Sequence, residues 1–262
     1  MDKNQKTTRG EISKMKKINT LRRAEVQPIE FKKYEGEDVC VSTVIRKGQR
    51  IQDWQFYPDK VKNEPSGNAY VIGNGPSRKG FDLNRLKETG QTYGCNALYR
   101  DFIPDFIFSV DARMTSQMIM DDVCKKTIHY APALEVNRKQ AKGMLHLIPH
   151  NPHWISGNAA FWTAGVHGHK NIYLLGFDFR EYGKGELNNI YQDTDCYGER
   201  NDDKIFEGWL KQFRDMLKMR PYVQYTVVHD NPPEYLNYLQ TGTDLGNSKV
   251  ISYAEFEKVL TP

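Results

Sequence analysis

Short apolar stretches alternate with longer amphipathic ones from about residue 68 onward. The short stretches are flanked by Gly, Asn, Asp or Pro, which is typical of buried strands, whereas the longer ones carry apolar residues at helical spacing. This alternation predicts an α/β fold, a mostly parallel sheet with helices on both faces. The predicted strands are 69–72, 92–95, 106–110, 127–130, 145–148, 171–175 and 223–228, and the predicted helices are 82–89, 115–124, 157–168 and 203–218.

The chain before residue 67 follows a different pattern. Residues 38–56 alternate apolar and polar positions, as strands do, and a helical stretch is predicted at 11–24. A turn-rich linker with Pro65 and Gly67 comes next. We therefore predict a basic N-terminal extension with short strands over 1–66, a main α/β domain over 67–240 and a C-terminal segment over 241–262.

Charge is concentrated at the N-terminus. The whole chain has a net charge of +4, but residues 1–33 hold ten Lys or Arg against four Asp or Glu. The rest of the chain is therefore slightly acidic, at about −2. A basic tail of this kind suits an anionic partner such as nucleic acid, anionic lipid or an acidic protein.

Composition narrows the class of protein. Hydrophobic residues make up 39% of the chain, which is enough for a sizeable core. The four cysteines, Cys40, Cys95, Cys124 and Cys196, show no Cys-x-x-Cys spacing and predict reduced thiols in a cytoplasmic protein. No apolar run of about 18 residues is present, so we expect no transmembrane segment, and contact with a membrane would be peripheral. The oligomeric state is left open by the sequence.

The turn after the first main-domain strand carries the clearest chemistry. Strand 69–72 runs into Gly73-Asn74-Gly75, where glycine permits close backbone approach, and Pro76 and Ser77 suit the start of a helix. A strand, a glycine turn and a helix N-terminus together present free backbone amides to an anion. The sequence therefore predicts a Rossmann-like, nucleotide-binding domain.

Three further strands also end in polar residues. Asn96 follows the second strand, Asp111 the third, and Gly176 and Asp178 the strand 171–175. Carboxyl ends of adjacent parallel strands meet at one edge of a sheet, where ligands bind. Asn96 suits a base or sugar edge, and the two carboxylates can accept bonds from ribose hydroxyls. Ser156, before a helix that starts at Gly157, could either cap that helix or contact a ligand phosphate.

These motifs, in this order, resemble those of bacterial sialyltransferases that use cytidine monophosphate (CMP)-sialic acid. The matching segments lie within residues 69–235 and are Val71-Ile-Gly-Asn-Gly-Pro-Ser77, Tyr93-Gly-Cys-Asn-Ala-Leu-Tyr99, Ile155-Ser-Gly157 and Asn171-Ile-Tyr-Leu-Leu-Gly-Phe-Asp-Phe179. The resemblance implies a nucleotide-binding glycosyltransferase-like domain with a mobile lid. It implies nucleotide binding by the motif residues Asn74, Gly75, Pro76, Ser77, Asn96, Ser156, Gly157, Gly176 and Asp178. Asp111 is predicted to bind the nucleotide from its position at a strand end, not from this resemblance.

The implied reaction is a metal-independent, inverting transfer of a sugar from a CMP-linked donor to a glycan hydroxyl. Lid tyrosines stabilise the departing phosphate in that family, and Tyr182 and Tyr191 occupy the corresponding segment, 180–203. The family's general base is a lid histidine, and this segment has none. His229, which follows the strand 223–228, is the nearest candidate along the chain, and His146, His150 and His153 could also reach the site. No cofactor and no metal site are predicted.

Two alternatives remain open. The glycine turn and Asp111-Ala-Arg113 also resemble archaeal pterin pyrophosphokinases, which would require a magnesium nucleoside triphosphate. Related domains occur in phages, and a basic tail on a transferase fold without activity would make a phage-associated binding or structural protein.

Overall fold

The computed structural model describes two compact units, Met1–Phe56 and Tyr57–Pro262. The described residues are 30–34, 37–46, 49–56, 67–132, 140–142, 144–148, 154–178, 189–197, 204–232, 236 and 246–261, with only the backbone for 30–56 and 204–207. The helix predicted at 11–24 lies outside these ranges.

The first unit contains an antiparallel sheet with the order β1-β2-β3. Its strands are β1 (Glu30–Tyr34), β2 (Glu37–Arg46) and β3 (Gln49–Phe56). The pairs Tyr34–Glu37 and Arg46–Gln49 close the two ladders, so each connection has two residues. The strands predicted within 38–56 are confirmed, and β1 is an additional strand.

The second unit is built on an eight-stranded, all-parallel sheet with the order β11-β10-β9-β4-β5-β6-β7-β8. Its strands are β4 (Asn68–Ile72), β5 (Gly90–Cys95), β6 (Phe106–Phe108), β7 (Ile128–Ala131), β8 (His146–Leu147), β9 (Asn171–Leu175), β10 (Gln224–Val228) and β11 (Ser248–Ile251). The sheet with its helices is the predicted Rossmann-like α/β fold.

The chain enters this sheet in the middle, at β4. It proceeds outward on one side through β5 to β8, then returns to the other side of β4 for β9, β10 and β11. The direction of winding therefore reverses between β4 and β9. In open parallel sheets such a reversal opens a crevice at the carboxyl ends of the two strands, and ligands bind there.

The helices of this unit are α1 (Ala112–Met120), α2 (Val123–Lys126), α3 (Ser156–Val166), α4 (Lys204–Met219) and α5 (Tyr253–Leu260). Short 3-10 helices lie at Pro76–Arg78, Leu83–Glu88 and Asn96–Arg100. None of the helices in the described ranges combines the length and apolar character needed to cross a bilayer.

Side chains of β4 alternate between two cores, as the two-residue period of a strand requires. Ala69 and Val71 join a cluster that contains Phe161 of α3. Tyr70 and Ile72 join a second cluster that contains Phe256 of α5. The sheet is therefore covered on both faces.

The predicted elements of the main domain are found with small changes at their ends. The helix predicted at 82–89 is a 3-10 helix, and the one predicted at 115–124 is two helices, separated at Asp122, whose φ is +57°. The segment 241–262, set apart by the sequence, supplies β11 and α5 and belongs to the larger unit.

Candidate nucleotide-binding crevice

The turns after β4 and β9 touch each other at the reversal point. The Gly73 amide donates to the Leu175 carbonyl at 2.8 Å, and the Gly75 amide donates to the Gly176 carbonyl at 2.9 Å. A Cβ on Gly73 would lie 2.4 Å from the Gly176 oxygen, and Gly176 itself has a φ of +69°. Glycine is required here because the two backbones are too close for any side chain.

Asp178 occupies the anion position at the start of the Pro76–Arg78 turn. Its Oδ2 accepts the Ser77 amide at 3.0 Å, and its Oδ1 accepts a short bond from the Ser77 hydroxyl. Asp178 is only 7% exposed. The carboxylate of Asp178 therefore occupies the position over Ser77 that was predicted for a phosphate. Its hydrogen bonds to Ser77 link the turn after β9 to the turn after β4.

Helix α3 presents an uncapped N-terminus to the same crevice. It begins at Ser156 after Ile155, which supplies no capping side chain, and its first turn contains no acidic residue. The Ser156 hydroxyl faces away from the helix and accepts the Val110 amide at 3.0 Å. Ser156 therefore does not cap the helix, since it is already the first helical residue. The amides of 156–158 have no acceptor among the described residues.

Three strand ends surround this N-terminus. Val110 follows β6, and a Cβ on Gly157 would lie 3.2 Å from the Phe177 ring and 3.9 Å from the Cys95 sulfur. Phe177 follows β9, and Cys95 ends β5. The partial positive charge of the helix dipole is therefore directed at the carboxyl edge of the sheet. Burial raises the pKa of the Cys95 thiol to about 12, so this thiol stays protonated.

Two asparagine oxygens beside this helix end have no partner among the described residues. Asn74 is 8% exposed, and its Nδ2 donates to the Cys95 carbonyl at 3.2 Å and to the Tyr197 hydroxyl at 3.3 Å, whereas its Oδ1 is buried without a donor in the described part of the chain. The Asn96 Oδ1 is likewise buried without a donor in the described part of the chain, and Asn96 has a φ of +52°. A buried acceptor without a donor is unfavourable, which points to a ligand that carries N–H or O–H groups.

Residues 189–197 of the predicted lid pack against the glycine turn. The Ile190 amide donates to the Asn74 carbonyl at 2.8 Å, and Tyr191 and Tyr197 are buried in a cluster with Ala97 and residues of α1. Burial raises the pKa of Tyr197 to about 12. The Tyr191 hydroxyl donates to Asp101 at 2.6 Å. Tyr182 lies outside the described residues.

His229 lies at the edge of the crevice, after β10. Its Nε2 is 4.0 Å from Asp178 Oδ1, and its Nδ1 accepts the Asn231 amide at 3.1 Å. Burial lowers the pKa of His229, and the Asp178 and Asp230 carboxylates oppose that effect. A neutral ring that accepts at Nδ1 carries its proton on Nε2. His229 can therefore act as a base only after the bond to Asn231 opens.

Asp111 forms hydrogen bonds within its own helix. It is the N-cap of α1, and its Oδ1 accepts the amides of Arg113 at 2.9 Å and Met114 at 3.2 Å. This side chain is exposed, and both of these bonds are local. His146 lies at the start of β8, and His150 and His153 lie outside the described residues.

Comparisons with family models, with characterised proteins and with solved structures find no match to this chain.

The crevice is distinct from a depression of about 300 Å³ elsewhere on the unit. That depression is lined in part by Asp105 and Thr127, which precede β6 and β7 and so lie at the amino-terminal ends of these strands. The polar strand ends are at the opposite edge. Ligand binding in a parallel sheet is expected at the carboxyl edge, which favours the crevice.

Two residues of the crevice are absent from the sequence prediction. Arg78 directly follows the glycine motif and donates to the Gly73 carbonyl, and a basic residue next to a predicted anion site is a signal that the sequence contains. Tyr253 begins α5, and its hydroxyl is buried without a partner in the described structure. Burial and the nearby Asp178 carboxylate raise the pKa of Tyr253. No local signal indicates Tyr253, because β11 and α5 bring it there from a distant part of the chain.

Proposed function

We propose that the larger unit binds a nucleotide in the crevice between β4 and β9 and is a glycosyltransferase-like enzyme that uses a CMP-linked sugar donor. The substrate class follows the motif resemblance, with sialic acid or a similar sugar as the transferred group and a glycan hydroxyl as acceptor. The proposal that a nucleotide phosphate binds is supported by the geometry of the crevice.

The N-terminus of α3 carries this proposal. Three amides of a buried eleven-residue helix lack acceptors in the described structure, and no side chain caps them. An anion at this position would accept those amides and interact favourably with the helix dipole. The unpartnered oxygens of Asn74 and Asn96 could accept hydrogen bonds from the rest of the nucleotide, because the cytosine amino group and the ribose hydroxyls are donors.

The proposed transfer is an inverting displacement. The acceptor hydroxyl oxygen forms a bond to the anomeric carbon as the bond from that carbon to the phosphate oxygen breaks. The leaving group departs as CMP, and the hydroxyl proton passes to a base. His229 is held neutral at its position beside Asp178, which suits a proton acceptor once Nδ1 is released from Asn231.

A nucleotide panel tests donor binding. Cytidine, uridine, guanosine and adenosine nucleotides are compared by calorimetry and thermal shift, with and without magnesium. CMP at 100 times its dissociation constant should stabilise the protein by about 2.7 kcal/mol without magnesium. Magnesium-dependent stabilisation by ATP alone would overturn the proposal in favour of a pyrophosphokinase, and no binding at all would favour a non-enzymatic protein.

A matched pair of variants tests the helix N-terminus. Ser156→Asp places a negative charge among the free amides and should weaken CMP binding about tenfold or more, because like charges repel strongly in a partly buried site. Ser156→Asn makes a similar change of size without the charge and should weaken binding much less. Equal affinities of the two variants for CMP, measured by calorimetry, would contradict phosphate binding at α3.

A further inference from the structure

Arg78 is a buried cation without an anionic partner in the described part of the chain. It is 6% exposed, its Nε donates to the Gly73 carbonyl at 2.7 Å, and its Nη2 donates to the Tyr191 hydroxyl at 3.1 Å. Both acceptors are neutral. Among the residues that the structure describes, no carboxylate forms an ion pair with Arg78.

The carboxylates around this cation are engaged elsewhere. Asp101 accepts the Tyr191 hydroxyl at 2.6 Å, and Asp178 accepts the amide and hydroxyl of Ser77. Burying a charge is unfavourable unless an opposite charge or several hydrogen bonds compensate. Two bonds to neutral oxygens compensate a guanidinium with five donors only in part. An anionic ligand would complete its environment.

Arg78 also lies within reach of the crevice. Its Cδ would be 3.1 Å from a Cβ on Gly176, so the side chain runs beside the two glycine turns that meet at the reversal point. Neither of its hydrogen bonds uses Nη1. The guanidinium is therefore held at one edge by the Gly73 carbonyl and by Tyr191, while Nη1 is left for another acceptor.

We propose that Arg78 binds the phosphate group of the nucleotide, and that Tyr191 positions it. This inference rests on the proposed nucleotide binding. Arginine suits the role because its planar fork matches the geometry of phosphate oxygens. Arg78 would then supply the positive charge that meets the leaving phosphate, with the amides of α3 as neutral donors beside it.

Tyr191 acts through Arg78. Its single hydroxyl proton is donated to Asp101, and its oxygen accepts from Arg78, so it has no proton to donate to a ligand. Burial, with the bond to Asp101, raises the pKa of Tyr191. The sequence-based assignment of Tyr191 as a direct donor to the leaving group is therefore replaced by a positioning role.

The experiment compares CMP with cytidine, which differ only by the phosphate. Wild-type protein should bind CMP at least about tenfold more tightly than cytidine, as expected of a charge-assisted bond. Arg78→Gln should lose most of this preference and keep the affinity for cytidine. Removal of the buried charge and loss of the bonds to Gly73 and Tyr191 have opposite effects on stability, so the affinity for cytidine serves as the check that the variant is folded. Arg78→Lys keeps the charge without the fork and should retain part of the preference.

The matched controls separate positioning from general damage. Tyr191→Phe should reduce the preference for CMP over cytidine several-fold. Tyr99→Phe makes the same change in the same cluster, where the hydroxyl donates to Asp121 instead, and should leave the preference unchanged. A wild-type preference for CMP in Arg78→Gln would overturn the role of Arg78 alone. Equal affinities of the wild-type protein for CMP and cytidine would overturn phosphate binding by Arg78 and by α3 together. Failure of wild type to bind either compound would instead overturn the proposed function.

Discussion

Two histidines inside the larger unit are held neutral by burial. His129 and His167 are 0% and 4% exposed, and burial lowers the pKa of each to about 3. His129 Nε2 lies 2.7 Å from the Ser109 hydroxyl and Nδ1 lies 3.4 Å from the Cys124 sulfur. His167 bonds to the hydroxyls of Tyr93 and Tyr130. Each ring is therefore a hydrogen-bonded, uncharged group of the core. Because the folded protein binds a proton there only at low pH, protonation of these rings should destabilise the fold.

The free energy of unfolding should depend on pH because of these two histidines. The unfolded chain takes up a proton at each histidine below its ordinary pKa of about 6.5, whereas the folded protein does so only near pH 3. Stability is therefore fully present above pH 6.5 and lost as the pH falls, by about 2 kcal/mol per histidine between pH 7 and pH 5. Urea unfolding at the two pH values measures this loss.

A pair of variants assigns the effect. His129→Gln should be less stable at pH 7 and should lose about 2 kcal/mol less than wild type between pH 7 and pH 5. Ser109→Ala removes the partner of the ring and retains the titrating group, so its pH dependence should match wild type. An unchanged pH dependence in His129→Gln would show that the ring is not neutral in the folded state.

At the scale of elements, the helices differ in how they begin. Helix α1 is capped by Asp111, and α5 begins with a reciprocal capping box between Ser252 and Glu255. Helix α3, which is buried over residues 156–165, has neither arrangement. A capped helix N-terminus is complete within the protein, whereas an uncapped one in a crevice retains donors for a ligand. This contrast favours α3, and not α1, as the phosphate-binding helix.

Substitution of Asp111 tests that contrast. Asp111→Ala should lower the free energy of unfolding by about 1 kcal/mol, because two amides of α1 lose their acceptor. Asp111→Asn retains a capping oxygen and should lose less. Both variants should bind CMP with wild-type affinity in calorimetry if Asp111 is a cap only. A clear loss of affinity in Asp111→Asn would support the sequence-based prediction that this carboxylate contacts the nucleotide.

At the scale of the whole molecule, the C-terminal segment completes the larger unit. Strand β11 pairs with β10 at the edge of the sheet, and α5 covers the face opposite α3. Phe256 is fully buried, with its ring centroid 5.3 Å from Tyr173, 5.7 Å from Phe81 and 5.8 Å from Tyr70. The segment is therefore part of the core on which β4 and the glycine turn rest.

Truncation of Phe256 should be severe. Phe256→Ala should destabilise the protein by about 3–5 kcal/mol, the range for a buried phenylalanine that leaves a cavity. Met120→Ala removes a side chain that is 61% exposed and should change stability by less than about 0.5 kcal/mol. Chemical unfolding of both variants measures the difference. A small effect of Phe256→Ala would mean that residues 241–262 form a separate segment, as the sequence suggested.

The sequence predicted most strands of the larger unit closely. Strands 69–72 and 171–175 are found at those residues or within one of them, since a buried parallel strand is a continuous apolar run bounded by turn residues. Strand β11, Ser-Lys-Val-Ile, and its helix were missed because a short edge strand with polar residues gives little local signal. The predicted site residues Asn74, Asn96 and Gly176 follow the strands β4, β5 and β9, where glycine and asparagine are recognisable as turn residues in the sequence.

What the sequence determined by itself is the parallel α/β architecture and the edge of the sheet at which polar residues collect. Both depend on local periodicity and on turn residues, which are properties of neighbouring positions. The tertiary structure alone decided that Asp178 is held by Ser77, that Tyr191 is tied to Asp101, and that Arg78 has no anionic partner in the described structure. These contacts join residues about 100 positions apart in the chain, so they depend on which strands become neighbours in the sheet. No local sequence pattern determines that strand order.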